Sequence, residues 1–131
     1  MRNIVLIDMD NTMANVNREL QKKGYITDVY PSPVPKGVFE DGSIFREAKP
    51  IQPVIDVIRA LKKDKGNHFI YITARSSKEK IHKITREWID NLVGLSFPIL
   101  YTNGLSKGKV LKEKLGKDWI KKYNWTIFED A

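Results

Sequence analysis

Two aspartates, Asp8 and Asp10, follow a short run of large apolar residues near the amino terminus. The run is rich in β-branched side chains, which is typical of a buried strand, so both carboxylates would lie just past a sheet edge. Carboxylates this close repel each other unless a positive group neutralises them. A hard divalent cation does this, and Mg2+ also keeps coordination positions for water and a phosphate. Alone, the pair is equally typical of an ordinary turn after a strand.

Phosphoryl transfer is the chemistry that two such carboxylates could support. A carboxylate beside a metal can attack phosphorus and form an aspartyl-phosphate. A second carboxylate two residues later can protonate the leaving alkoxide and afterwards activate water. A lysine and a threonine hydroxyl would bind the phosphate oxygens, over which negative charge spreads during the reaction. The sequence must therefore bring a lysine and a threonine to the same place as the aspartates.

The hydrophobic pattern predicts strands and helices that alternate along the chain. Apolar runs predict strands over residues 3–8, 68–73, 98–102 and 125–128. Apolar residues at helical spacing predict helices over residues 13–24, 51–66 and 107–123, and one that Ser76 or Ser77 caps and that ends near Gly94. This alternation predicts an α/β fold of the Rossmann-like type, with a mostly parallel sheet flanked by helices.

The length of 131 residues is that of one domain. We expect a core of residues 1–12 and 50–131, with a small cap insertion of about residues 13–49, because prolines and glycines interrupt that stretch. The chain has no cysteine, which excludes a disulfide scaffold and a thiolate metal site. The apolar runs are too short to cross a membrane, so we expect a cytoplasmic protein. The net charge of +7 favours anionic partners.

Polar side chains follow each of the predicted strands. Ligands of parallel sheets bind at the carboxyl ends of the strands, where these side chains would meet. The residues concerned are Asp8, Asp10, Thr73, Arg75, Thr102, Asn103, Glu129 and Asp130.

In this arrangement the chain resembles phosphatases of the haloacid dehalogenase superfamily. That superfamily has four motifs: a strand followed by Asp-x-Asp-x-Thr, a strand ending in threonine or serine, a lysine that opens a helix, and a strand ending in two acids. Residues 4–12, 69–73, 106–111 and 127–130 match these motifs in order. The resemblance covers nearly the whole chain and implies the same fold.

The resemblance implies a role for each catalytic residue. Asp8 would be the nucleophile, and Asp10 would be the general acid and base. Thr73 would hold the phosphate, and Lys107 would neutralise the phosphate and the nucleophile together. Lys109 is the alternative lysine; a Lys-Gly pair at the start of the helix favours Lys107.

The resemblance also implies one metal site and several substrate contacts. Mg2+ would be held by Asp8, the backbone carbonyl of Asp10, Glu129 and Asp130. The substrate would contact Asn11, Thr12, Ala74, Arg75 and Lys109.

We therefore expect an Mg2+-dependent phosphomonoester hydrolase that acts through an aspartyl-phosphate, with a small phosphorylated substrate and no membrane partner. Residues 37–39 and 50–54 resemble 5'(3')-deoxyribonucleotidases, which favours nucleotides. Residues 73–75 and 85–89 resemble polynucleotide 3'-phosphatases, so a nucleic-acid end is the alternative substrate. A catalytically weak module that binds phosphate or nucleic acid is a third possibility. Members of the superfamily continue past the fourth motif, so we also expect that the edge of the fourth strand could pair in an oligomer.

Overall fold

One parallel sheet of four strands forms the centre of the protein, in a computed structural model that describes residues 2–29 and 33–129. The strands are β1 (Arg2–Asp8), β2 (Asn67–Thr73), β3 (Ile99–Tyr101) and β4 (Tyr123–Phe128). Their order across the sheet is β3-β2-β1-β4, and each neighbouring pair is parallel. The predicted α/β architecture with a parallel sheet is confirmed.

Helices and short helical segments connect the strands. The α-helices are α1 (Val16–Lys22), α2 (Ser43–Glu47), α3 (Gln52–Lys62), α4 (Glu79–Trp88), α5 (Lys107–Leu115) and α6 (Trp119–Lys122). A 3-10 turn covers Lys36–Phe39, and a π-helical turn, Ile89–Val93, follows α4 directly. Gly94 then ends the helical stretch in a left-handed conformation, as its position predicts.

Two predicted helix boundaries are wrong. The single helix over residues 107–123 is two helices, because Gly116 takes a φ of +94° after α5 and Tyr123 already begins β4. Neither predicted serine caps α4, which begins after Lys78. Ser76 instead accepts a hydrogen bond from the backbone N–H of Lys78 at 3.2 Å, so it stabilises the turn before the helix.

The two faces of the sheet pack against different helices. Side chains of one face, including Val5 and Tyr71, join the larger apolar cluster, to which α1, α2, α3 and α4 all contribute. On the other face, Leu6 and Ile72 pack with Leu111 of α5 in a smaller cluster. Burial on both faces explains why β1 is a nearly continuous apolar run.

The described residues of the insertion, 13–29 and 33–49, pack directly onto this core. Met13, Ile44 and Phe45 are buried in the larger apolar cluster. The indole N–H of Trp88 in α4 donates a buried hydrogen bond to the carbonyl of Ala48 at 2.7 Å. These contacts fix α2 against α4, so the insertion forms one wall beside the carboxyl end of the sheet.

Strand order reverses beside β1. The chain runs from β1 to β2 and β3 on one side and then returns to place β4 on the other side of β1. Ligands of open parallel sheets bind at such a reversal, outside the carboxyl ends of the strands. Asp8 is the last residue of β1 and lies at this point. Among the described residues, no helix has the length and apolar character needed to cross a membrane.

Candidate functional site

An ion pair joins Asp8 to Lys107, which are far apart in sequence. The Nζ of Lys107 lies 3.1 Å from Oδ2 of Asp8, and the Asp8 side chain is only 17% exposed. Burial raises the pKa of Asp8, while the hydrogen bond and charge of Lys107 oppose this effect and the charge of Asp10 adds to it. The other oxygen, Oδ1, accepts a hydrogen bond from the backbone N–H of Met9 at 3.0 Å. The carboxylate is thus held at the strand end with a cation on one oxygen.

The start of α5 determines which lysine reaches Asp8. Ser106 caps this helix, because its Oγ accepts a hydrogen bond from the backbone N–H of Lys109 at 3.2 Å. Lys107 is the first helical residue and points to the sheet edge, whereas Lys109 is exposed. Of the two candidate lysines, the structure brings Lys107 to the predicted nucleophile.

A tight turn after β1 fixes the position of Asp10. The carbonyl of Met9 accepts hydrogen bonds from the backbone N–H groups of Thr12, Met13 and Ala14, at 3.3, 2.9 and 3.0 Å. Asn11 takes a positive φ of 64°, which asparagine tolerates better than most residues. Its Oδ1 accepts the backbone N–H of Asn17 at 2.8 Å, so in this structure Asn11 tethers the turn to α1.

Arg75 holds the side chain of Asp10. Its Nε and Nη2 donate to Oδ1 of Asp10 at 2.9 and 2.6 Å, and its Nη1 donates to Oγ1 of Thr85 at 3.1 Å. The guanidinium lies 4.1 Å from the ring centroid of Phe45, and the Arg75 side chain is 0% exposed. All three guanidinium nitrogens of Arg75 therefore donate hydrogen bonds to protein groups. The predicted contact of Arg75 with the substrate stays a prediction.

The remaining predicted residues on β2 and in the following loop differ in exposure. Thr73, the last residue of β2, is fully buried, and its Oγ1 accepts the backbone N–H of Arg75 at 3.1 Å. Ala74 is exposed and lines a cavity. The structure thus places Thr73 under the loop that carries Arg75, and a phosphate contact of its hydroxyl also stays a prediction.

The predicted metal ligands lie partly outside the described residues. Phe128 pairs with Ile7 in the parallel register, so Glu129 follows β4 next to the point where Asp8 ends β1. Glu129 is exposed, and Asp130 lies outside the described part of the chain. Within the described ranges, no three acidic or histidine side chains group together as a metal site. The available donors, carboxylate and carbonyl oxygens, are those that Mg2+ prefers.

Two cavities flank the turn of residues 9–14. The larger, of about 620 Å³, lies between the insertion and the loops after β2 and β3, with Asp10 in its wall. The smaller, of about 330 Å³, lies at the ends of β1 and β4, and its lining includes Asn11, Thr12 and Glu129. Among the described residues, the Oγ1 of Thr12 is buried without a hydrogen-bond partner.

The sequence patterns do not indicate the contacts that Thr85 and Phe45 make with Arg75. Thr85 lies on the buried side of α4 with Ile81, Ile84 and Trp88. A polar residue on this apolar helix face is the one feature of the sequence that could have indicated a buried hydrogen bond there. Phe45 is buried in the larger apolar cluster, and its ring packs against the guanidinium of Arg75.

No protein-family model matches this chain, and a search of curated proteins finds no match either. The geometry of the site and the order of its motifs are therefore the observations that bear on function.

Proposed function

We propose that this protein is an Mg2+-dependent phosphomonoester hydrolase of the haloacid dehalogenase type, acting on nucleotides through an aspartyl-phosphate. The observation that supports this best is the ion pair of Asp8 and Lys107. A nucleophilic carboxylate and a phosphate-binding lysine must lie side by side, because both contact the same phosphate. Asp10 stands two residues later at the same strand end, held by Arg75. The aromatic wall of the larger cavity, beside Asp10, suits the base of a nucleotide.

Each proposed residue has a defined part in the reaction. A carboxylate oxygen of Asp8 attacks phosphorus, and the bond from phosphorus to the leaving oxygen breaks as Asp10 gives that oxygen a proton. Water, deprotonated by Asp10, then releases phosphate from Asp8. Lys107 binds the phosphate oxygens during both steps. Mg2+ would be held by Asp8, the backbone carbonyl of Asp10, Glu129 and Asp130, and when bound it would neutralise charge on the phosphate.

Turnover of an aryl phosphate tests this proposal against that of a binding module. We expect Mg2+-dependent hydrolysis that EDTA abolishes and that Asp8→Asn reduces by about a thousandfold or more, because the nucleophile is lost. Asp56→Asn is the control, since Asp56 is an exposed carboxylate on α3. Phosphate binding without turnover in the unmodified protein would refute the enzyme proposal and support the binding module.

Asp130→Asn tests the metal assignment separately. We expect weaker Mg2+ binding by calorimetry and an unchanged fold by circular dichroism, because one charged ligand is lost. Unchanged Mg2+ affinity would remove Asp130 from the site.

A further inference from the structure

The larger cavity is lined by Asp10 but not by Asp8 or Lys107. Its volume of about 620 Å³ lies within the range of small-ligand sites. One wall comes from the insertion, and another comes from the loop after β2 and the start of α4. The lining residues on these two walls are Lys36, Phe39, Glu40 and Phe45, and Ala74, Arg75, Ser76, Lys78 and Ile81.

A rigid aromatic surface forms the inner part of the cavity. The rings of Phe39 and Phe45 stack, with centroids 5.7 Å apart and an angle of 19° between the ring planes. Arg75, buried and bonded to Asp10, packs on Phe45 and holds this ring in place. Because Phe45 is 5% exposed and is covered by Arg75 and Phe39, the accessible ring is that of Phe39, and a planar ligand group can stack on it.

Two lysines line the cavity, one from the insertion and one from the end of the loop after β2. Lys36 begins the 3-10 turn of the insertion, and Lys78 immediately precedes α4. Both side chains are exposed, and neither forms a salt bridge within residues 2–29 and 33–129. The acidic lining residues are Asp10, which Arg75 already neutralises, and Glu40. With Asp10 and Arg75 paired, Lys36, Lys78 and Glu40 leave the cavity lining with a net charge of about +1.

We propose that this cavity binds the alcohol part of the substrate, and that Lys36 and Lys78 bind a second phosphate carried by that part. The inference rests on the proposed function, because the proton from Asp10 goes to the leaving oxygen and so places the leaving group in this cavity. The ligand has a planar base and two phosphates, of which Asp8 attacks one. The second phosphate could belong to a nucleoside bisphosphate or to the internal phosphodiester of an oligonucleotide with a terminal phosphate.

Calorimetry on the Asp8→Asn variant tests the second phosphate site without turnover. The probes are deoxyadenosine 5'-monophosphate, deoxyadenosine 3',5'-bisphosphate and a dinucleotide with a 3'-terminal phosphate. We expect one or both of the two larger probes to bind about tenfold more tightly than the monophosphate, because hydrogen bonds between charged groups are the stronger kind. The gain should decrease as salt is added.

Removal of the lysines decides whether they cause the gain. Adding Lys36→Ala and Lys78→Ala should reduce the affinity ratio of the larger probes to the monophosphate to about one. The matched control adds Lys65→Ala and Lys83→Ala, two exposed lysines outside the cavity lining, and should keep the ratio. Equal affinity for all three probes, or a ratio that survives loss of Lys36 and Lys78, would overturn the inference.

The result is distinguishable from a failure of the proposed function. Hydrolysis of an aryl phosphate by the unmodified protein without any lysine-dependent gain refutes the second phosphate site alone. A lysine-dependent gain in a protein that hydrolyses no phosphate ester supports the site and refutes the hydrolase.

Discussion

The contact of Arg75 with Asp10 should contribute strongly to stability, and a double-mutant cycle can measure this contribution. Arg75→Met removes the guanidinium but keeps an apolar side chain against Phe45, and Asp10→Asn removes the charge at nearly constant shape. The coupling energy of the two changes reports the interaction between the side chains, apart from what each contributes to packing.

The burial of the two side chains sets the expected magnitude. Removing one partner of a fully buried ion pair costs about 3–5 kcal/mol, because the other charge is left without compensation. The Arg75 side chain is 0% exposed, but that of Asp10 is 28% exposed, so water can reach the remaining carboxylate. We therefore expect Arg75→Met to cost about 2–4 kcal/mol and the coupling energy to be about 1–3 kcal/mol.

Urea unfolding followed by tryptophan fluorescence measures these free energies, provided that all variants unfold with the same dependence on urea. The control cycle uses Lys23 and Glu47, whose exposed side chains approach to 3.6 Å and should couple by about 0–1 kcal/mol. A coupling energy below about 0.5 kcal/mol for Arg75 and Asp10 would mean that Arg75 acts through its contact with Phe45, and the reasoning would be wrong.

Three further changes test the packing of the insertion. Trp88→Phe removes the buried hydrogen bond to Ala48 and should lower the free energy of unfolding by about 1–3 kcal/mol in urea; no loss would mean that water replaces the indole. Gly42→Ala should lower the melting temperature more than Gly24→Ala: both glycines have positive φ, but an added Cβ at Gly42 meets side chains of α4 and at Gly24 meets nothing. Hydrogen bonds from Ser43 lower the pKa of Asp41 below its usual value of 3.8. The ionised Asp41 therefore stabilises the fold at pH values above 3.8, and this stabilisation is lost as the pH falls below 3.8. The stability difference between the unmodified protein and Asp41→Asn should therefore close in acid, and a constant difference from pH 7 to pH 3 would contradict this.

The sequence predicts the sheet because strands follow from local patterns, whereas the meeting of Asp8 with Lys107 was implied by the resemblance to the haloacid dehalogenase superfamily. Apolar runs predict the strands, and parallel strands bring their carboxyl ends to one edge whatever the loops do. The break at Gly116 was not predicted because Trp119 continues the apolar spacing, and spacing carries no information on the left-handed backbone. The contact of Arg75 was not predictable either, since Asp10, Thr85 and Phe45 reach it from separate elements.

The position of β1 in the sheet has a consequence for folding. Asn3 pairs with Asn67 on one side and with Asn124 on the other. Both edges of this central strand are therefore unpaired until residues much later in the chain have been synthesised. Contacts of such long sequence separation slow folding, because a long loop must close before they form. During synthesis the apolar β1 can pair with β2 early but keeps its other edge open until β4 is made. One edge of the strand that ends in Asp8 is therefore open to wrong pairing with other chains until β4 has been made.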